Sequence, residues 1–161
     1  MTDTSVMNGK DFNEVIKLIV LNDPRFDRGA YHFVRKALDY TLKKIKESKQ
    51  VRTSNHVTGP ELLEGIREFA LEQYGPMTYT LFEEWGLHSS GDFGEIVFNL
   101  IDYGIFGKTE RDDRTDFVGV YDFKTVFIDP FQPRGFASPT PPKTTKPAAS
   151  KSRSQIPPTN P

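Results

Sequence analysis

Cysteine is absent from the 161 residues, tryptophan occurs once and histidine three times. Without a thiol there is no cysteine nucleophile, no thiolate zinc site and no disulfide framework. A chain of this length buries enough apolar surface to fold as one domain without such staples. Long apolar runs are also missing, so a bilayer-spanning helix is excluded. The opening MTDTSVMNGK has neither a basic n-region nor an apolar h-region. The expectation is a soluble, cytoplasmic protein that uses no membrane, no metal and no cofactor.

Acid is missing from one place. The last 24 residues, SPTPPKTTKPAASKSRSQIPPTNP, hold seven prolines, four basic residues and no Asp or Glu. Ile156 is their only large apolar side chain. Such a segment cannot bury enough surface to offset its ordering entropy, and residues 138–161 are expected to be a disordered tail. It serves as a solubilising terminus, a basic arm for an anionic partner or a polyproline ligand. With the tail set aside, residues 1–137 carry 17 basic and 22 acidic residues, or −5. The expected division is a flexible 1–10, a single domain over 11–137 and the tail.

The domain is punctuated as helices. Asp11 and Glu14 have capping-box spacing, and Phe12, Val15, Ile16, Ile19 and Val20 recur at three and four before Asp23-Pro24 stops the pattern. Ala30, Phe33, Val34, Ala37, Leu38, Thr41, Leu42 and Ile45 hold the helical period of a second, longer helix. Thr58 three before Glu61, Pro60 in the first turn and Gly75-Pro76 past the last periodic residue bound a third. A shorter helix from Pro76 to Trp85 turns Met77, Leu81, Phe82 and Trp85 inward. The next, capped by Ser89 or Ser90, buries Phe93, Ile96, Val97, Leu100, Ile101 and Gly104. A last short helix follows Asp122. The fold class is mainly α, a compact bundle of five to six helices with one small β-hairpin.

That hairpin concerns GKTERDDRTDF, residues 107–117. A phosphate loop needs a glycine five positions before the Gly of Gly-Lys-Thr, where Asp102 stands, and a calcium loop needs Gly and Glu where Phe117 and Phe123 stand. The remaining reading is a solvated, charged tip joining Ile105–Phe106 to the β-prone run Phe117–Tyr121.

Helix, short helix, helix and hairpin is the order of winged helix-turn-helix domains, and LIDYGIFGKTERDDRTDFVGV resembles the last helix and wing of bacterial winged-helix regulators. That likeness implies a recognition helix after Ser90. Its outward stripe, Asp92, Glu95, Asn99 and Asp102, holds three acids and no base. Carboxylates repel phosphates, so this surface suits a protein partner, with Arg111 and Arg114 of the neighbouring loop beside it. Nucleic acid is the alternative partner, met through RKALDYTLKKIKESKQVR, +5 over 18 residues. Its lysines are Lys36, Lys43, Lys44, Lys46 and Lys49. The same pattern also describes an ordinary solvated helix whose late basic residues favour its C-terminal end.

Catalytic candidates are few. His32, His56 and His88 stand apart, with no His or carboxylate at metal-ligand spacing, and neither Gly-x-Ser-x-Gly nor Gly-x-Gly-x-x-Gly occurs. Adjacent acids such as Glu83-Glu84 and Asp112-Asp113 need a pocket before they can act as acids or bases. Phe26, Tyr31, Tyr79, Phe98 and Tyr103 lie off the apolar stripes. They form either an exposed aromatic surface or the second buried face of central helices.

The stretches DPRFDRGAYHFVRKALDYTL, ELLEGIREFALEQYGPM, FGEIVFNLIDYGIFGKTERD and DFVGVYDF, within residues 11–131, resemble a family of hypothetical proteins from planctomycete and verrucomicrobial bacteria. The resemblance implies a bacterial cytosolic setting and carries no activity, cofactor or site residue with it. The reading is a non-enzymatic interaction module with an unknown protein partner.

Overall fold

Capping chemistry and apolar period set the elements of this computed structural model, which describes residues 2–3, 9–48, 51–52 and 56–133. Helix α1 spans Gly9–Asn22. It begins two residues before the expected Asp11, which therefore lies in its first turn. Its buried face is the expected Phe12, Ile16 and Ile19. Asp27 accepts a hydrogen bond from the Gly29 amide and starts α2, Arg28–Glu47. At the start of α3, Gly59–Tyr74, the expected capping box forms in both directions between Thr58 and Glu61.

Gly75 ends α3 with φ 51°, and a single 3₁₀ turn, Gly75–Met77, precedes α4, Thr78–Glu84. This corrects the expected start at Pro76: Met77 is exposed and Thr78 is buried in its place. The reason is the Thr78 hydroxyl, which donates to the carbonyls of Gly75 and Ala70 at 2.7 and 3.1 Å. Ser89 caps α5, Ser90–Asp102, and Asp122 caps α6, Phe123–Phe127. The expected mainly helical class is what forms.

The hairpin does not form. Strand β2, Phe106–Gly107, pairs antiparallel with β1, Thr2–Asp3, in the register Thr2 with Gly107 and Asp3 with Phe106. Two residues of the segment expected to be flexible are thus in a ladder. The expected strand Phe117–Tyr121 is absent, and residues 114–117 curl into a 3₁₀ turn that Asp113 and Asp116 cap reciprocally. The turn drives Phe117 inward to zero exposure. There its side chain stands where one on Gly94 of α5 would be, 2.8–3.1 Å from an ideal Cβ. A helix with this turn lying across it has no free wing beside it, and the winged-helix expectation is withdrawn.

Helix α5 is consequently central. Phe93, Ile96, Val97, Phe98 and Leu100 are all buried, so its apolar surface extends beyond the expected stripe. The rings of Phe33, Phe82, Phe93, Phe123 and Phe127 meet at centroid distances of 5.1–6.3 Å, stitching α2, α4, α5 and α6 into one core. Edge-on and tilted pairs of this kind add to what their burial contributes. Phe26, Tyr31 and Phe98, off the stripes in sequence, are buried as well. Tyr31 and Phe98 fill second faces of central helices, Phe26 fills in from the turn before α2, and the three present no aromatic surface.

The most extensive helix pair is α2 with α3. Gly65 permits it, since a Cβ there would fall 1.8 Å from the Thr41 hydroxyl oxygen. The chain divides into two units, Met1–Pro130 and Phe131–Pro161. The Pro-rich tail, 138–161, and Lys49 lie outside the described residues.

Candidate functional site

The outward acidic stripe of α5 is where a protein partner is expected to dock. Asp92 accepts hydrogen bonds from the amides of His88 and Ser89 at 2.8 and 3.2 Å, so it is a helix cap. Glu95 lies between two guanidiniums, Arg25 at 3.1 Å and Arg114 at 2.7 Å. Arg25 also grips Asp23 at 2.6 Å. Asn99 donates to the Asp23 carboxylate and to the Tyr31 hydroxyl, both at 3.0 Å. Arg114 lies over the Phe98 ring at 5.0 Å.

These contacts set the charges. The Arg25 hydrogen bond, with help from Asn99 and against the cost of burial, holds the Asp23 carboxyl well below the usual carboxylate range. Burial opposes ionisation of Glu95, and the bonds from Arg114 and Arg25 outweigh it, so its pKa is also lowered. The result is a chain of alternating charge, Asp23, Arg25, Glu95, Arg114, that runs from the turn after α1 across α5 to the 3₁₀ turn. Of the six expected partner residues, the structure brings Glu95, Asn99 and Arg114 together, uses Asp92 as a cap and leaves Asp102 and Arg111 exposed and apart. Asp23, Arg25 and Tyr31 belong to the network without having been expected there. Their link to α5 bridges about 70 positions of sequence, which no local pattern signals.

A second polar cluster joins the segment before α3 to the loop after β2. His56 Nε2 is 3.1 Å from Asp112 Oδ1 and 3.4 Å from the Thr109 hydroxyl, while the Thr109 amide donates to Asp112 Oδ2 at 2.9 Å. Asp112 is buried, at 6% exposure. Burial pushes its pKa up, but the bonds from Thr109 and His56 prevail and the net shift is downward. Arg52 pairs with Glu61 at 2.6 Å and donates to the His56 carbonyl at 2.8 Å. The cleft beside them, about 440 Å³, is lined by Arg52, His56, Thr58, Pro60, Arg111, Asp112 and Asp116.

This looks like the material of a nucleophile relay, and its geometry is wrong for one. A relay needs the carboxylate and the hydroxyl at opposite ring nitrogens, so that the ring takes a proton at one while anchored at the other. Here Asp112 and Thr109 both face Nε2. The cluster instead fastens two loops together.

The outward face of α2 differs in that its cations are open. Arg28, Lys36, Lys43 and Lys46 are exposed, and none of the four forms an ion pair among the described residues. Lys44 is turned away to Glu68 at 3.5 Å and the Tyr40 ring at 5.8 Å. Arg35 is held over the Phe12 ring at 4.3 Å. Asp39 and Glu47 are exposed on the same helix. Burial, and then the positive charges of Lys36, Arg28 and Arg35, push the His32 pKa down.

Among the described residues no group of His, Asp and Glu has the arrangement of a metal site, and no helix is long and apolar enough to cross a membrane. Comparison with protein-family models, with curated proteins and with solved structures returns no match to the chain.

Proposed function

We propose that this is a non-enzymatic binding module that engages nucleic acid through the outward face of α2, in a bacterial cytoplasmic setting. The observation that carries the reading is a contrast between two helices. Two of the three carboxylates on the α5 stripe are already engaged, Glu95 with two arginines and Asp92 as a cap, whereas Lys36, Lys43 and Lys46 on α2 form no ion pair among the described residues. A docking role for Glu95 and Asn99 would require breaking bonds that now tie α5 to its neighbours, and one for Asp92 would uncap the helix. Binding at α2 requires only the release of counterions, which favours association with a polyanion. A row of cations on an otherwise acidic domain also concentrates positive potential on one side.

The test is fluorescence anisotropy with labelled DNA and RNA in low salt, comparing the native chain with Lys36→Glu/Lys43→Glu/Lys46→Glu. A salt-sensitive affinity that the triple variant abolishes is expected, with its circular dichroism unchanged because all three side chains are exposed. An affinity unmoved by the triple change, or none in the native chain, refutes the reading.

A further inference from the structure

The proposed function rests on a row of cations, and the setting of that row narrows which nucleic acid fits. Helix α2 is not a projecting rod. Its first half is shouldered by α1, where the Phe12 ring meets His32 at 5.1 Å and Asn13, Glu14 and Lys17 line a cleft with Arg28, Gly29 and His32. Its second half is shouldered by α3, through the Tyr40–Phe69 ring contact at 5.2 Å and the Lys44–Glu68 pair. A helix enters the major groove only where it projects beyond its neighbours, since its diameter of about 10–12 Å nearly equals the groove width of about 12 Å. With a helix on either side, α2 cannot sink to the base edges.

What it presents instead is a rigid line of charge. At a rise of about 1.5 Å per residue, Arg28 and Lys46 stand about 27 Å apart, with Lys36 and Lys43 between them. The helix that carries them is anchored along its other face by the buried Val34, Ala37, Leu38 and Thr41. A stiff polyanion meets such a line without having to be ordered first, whereas a flexible single strand loses conformational freedom on binding. Single-strand sites recover that loss by stacking bases on exposed aromatic rings. Here the rings near the face are engaged: Phe12 lies under Arg35 and Tyr40 packs on Phe69. Its hydroxyl contacts Glu68 and Glu72.

Resting on that reading, we infer that α2 recognises the sugar-phosphate backbone of a double-stranded nucleic acid, without reading sequence and without preferring single strands. Arg28, Lys36, Lys43 and Lys46 contact phosphates. Asp39 and Glu47 on the same face oppose deeper penetration, because a carboxylate brought near phosphates is repelled. Four phosphate contacts give a slope of about −3.6 for log K against log salt on B-form DNA, or an affinity loss of about 150-fold for a fourfold rise in salt.

The experiment titrates the full chain against two duplexes of unrelated sequence and against each of their separated strands, over a range of salt. The expected result is equal affinity for the two duplexes within about threefold, about tenfold weaker binding to the strands, and the slope above, reduced by about 0.9 in Lys43→Ala. Equal or tighter binding to the single strands overturns the inference while leaving the nucleic-acid reading standing, as does a duplex preference well beyond threefold. Failure to bind any of the six probes overturns both.

Discussion

Gly94 and Phe117 occupy one space: a Cβ on Gly94 would lie 2.8 Å from the Cβ of Phe117 and 2.9 Å from its ring. That approach seats the 3₁₀ turn on α5 and replaces the wing with a packed ring. Gly94→Ala therefore introduces overpacking costing about 1–3 kcal/mol, against the about 1 kcal/mol that alanine contributes inside an unobstructed helix. The expected outcome is a Tm lower by about 5 °C. Gly91→Ala, whose new carbon would meet nothing closer than 3.6 Å, is the internal control and should be neutral or stabilising. Equal effects of the two changes would show that the close approach is not what matters.

Ser90 closes the same region from the other side. Its hydroxyl donates to the Phe117 carbonyl at 2.6 Å and accepts the Val120 amide at 3.2 Å, with 1% of the residue exposed. Ser90→Ala strands both groups and should cost about 1–3 kcal/mol. Hydrogen exchange locates the effect: the Val120 amide should lose protection before the amides of α3 do. Uniform loss across the domain would assign Ser90 a global role instead.

Two acids on α5 that look alike in sequence should behave differently. Glu95 sits between Arg25 and Arg114 with its side chain 28% exposed, and Lys there would set three cations together. Glu95→Lys should destabilise by about 1 kcal/mol, the scale of partly exposed pairs. Asp102 is exposed at the C-terminal end of α5, where a cation is favoured over an anion. Asp102→Lys should be neutral or slightly stabilising in urea denaturation. A matching loss at both positions would contradict the network.

The difference between these two acids marks what was legible beforehand. Helix boundaries depend on neighbours within four residues, and the Thr58–Glu61 box, the Gly75 stop and the Asp122 cap could be read from spacing alone. The face of a helix that is covered depends on distant segments. Arg25 reaches Glu95 across 70 residues, and Phe117 reaches Gly94 at the end of a turn whose other residues read as the polar tip of a hairpin. A signal was present in Gly94 itself, since a glycine in a helix interior commonly marks a close approach. The lysines of α2 were legible as a group, but not that Lys44 turns to Glu68 while Lys36, Lys43 and Lys46 stay open. His56 and Asp112 lie 56 positions apart in sequence, and only the fold makes them neighbours.

Acid should loosen the domain in a specific way. The Arg52 hydrogen bond, aided by the Thr58 amide and opposed by burial, brings the Glu61 pKa from 4.5 down to about 2. Asp23 and Asp112 are lowered as well, by Arg25 and by Thr109 with His56. A carboxylate whose folded pKa lies below its unfolded value contributes stability that is fully present above the unfolded pKa. That contribution fades as pH falls toward the folded one. For Glu61 the window runs from about 4.5 to about 2. Glu61→Gln should lower the Tm at neutral pH, flatten its fall across that window and converge on the native Tm at its acid end. Glu84→Gln, exposed on α4, should follow the native curve throughout. If Glu61→Gln instead ran parallel to the native curve, the Arg52–Glu61 pair would be a surface contact without a share in the fold's acid sensitivity, and Asp23 and Asp112 would have to account for it alone.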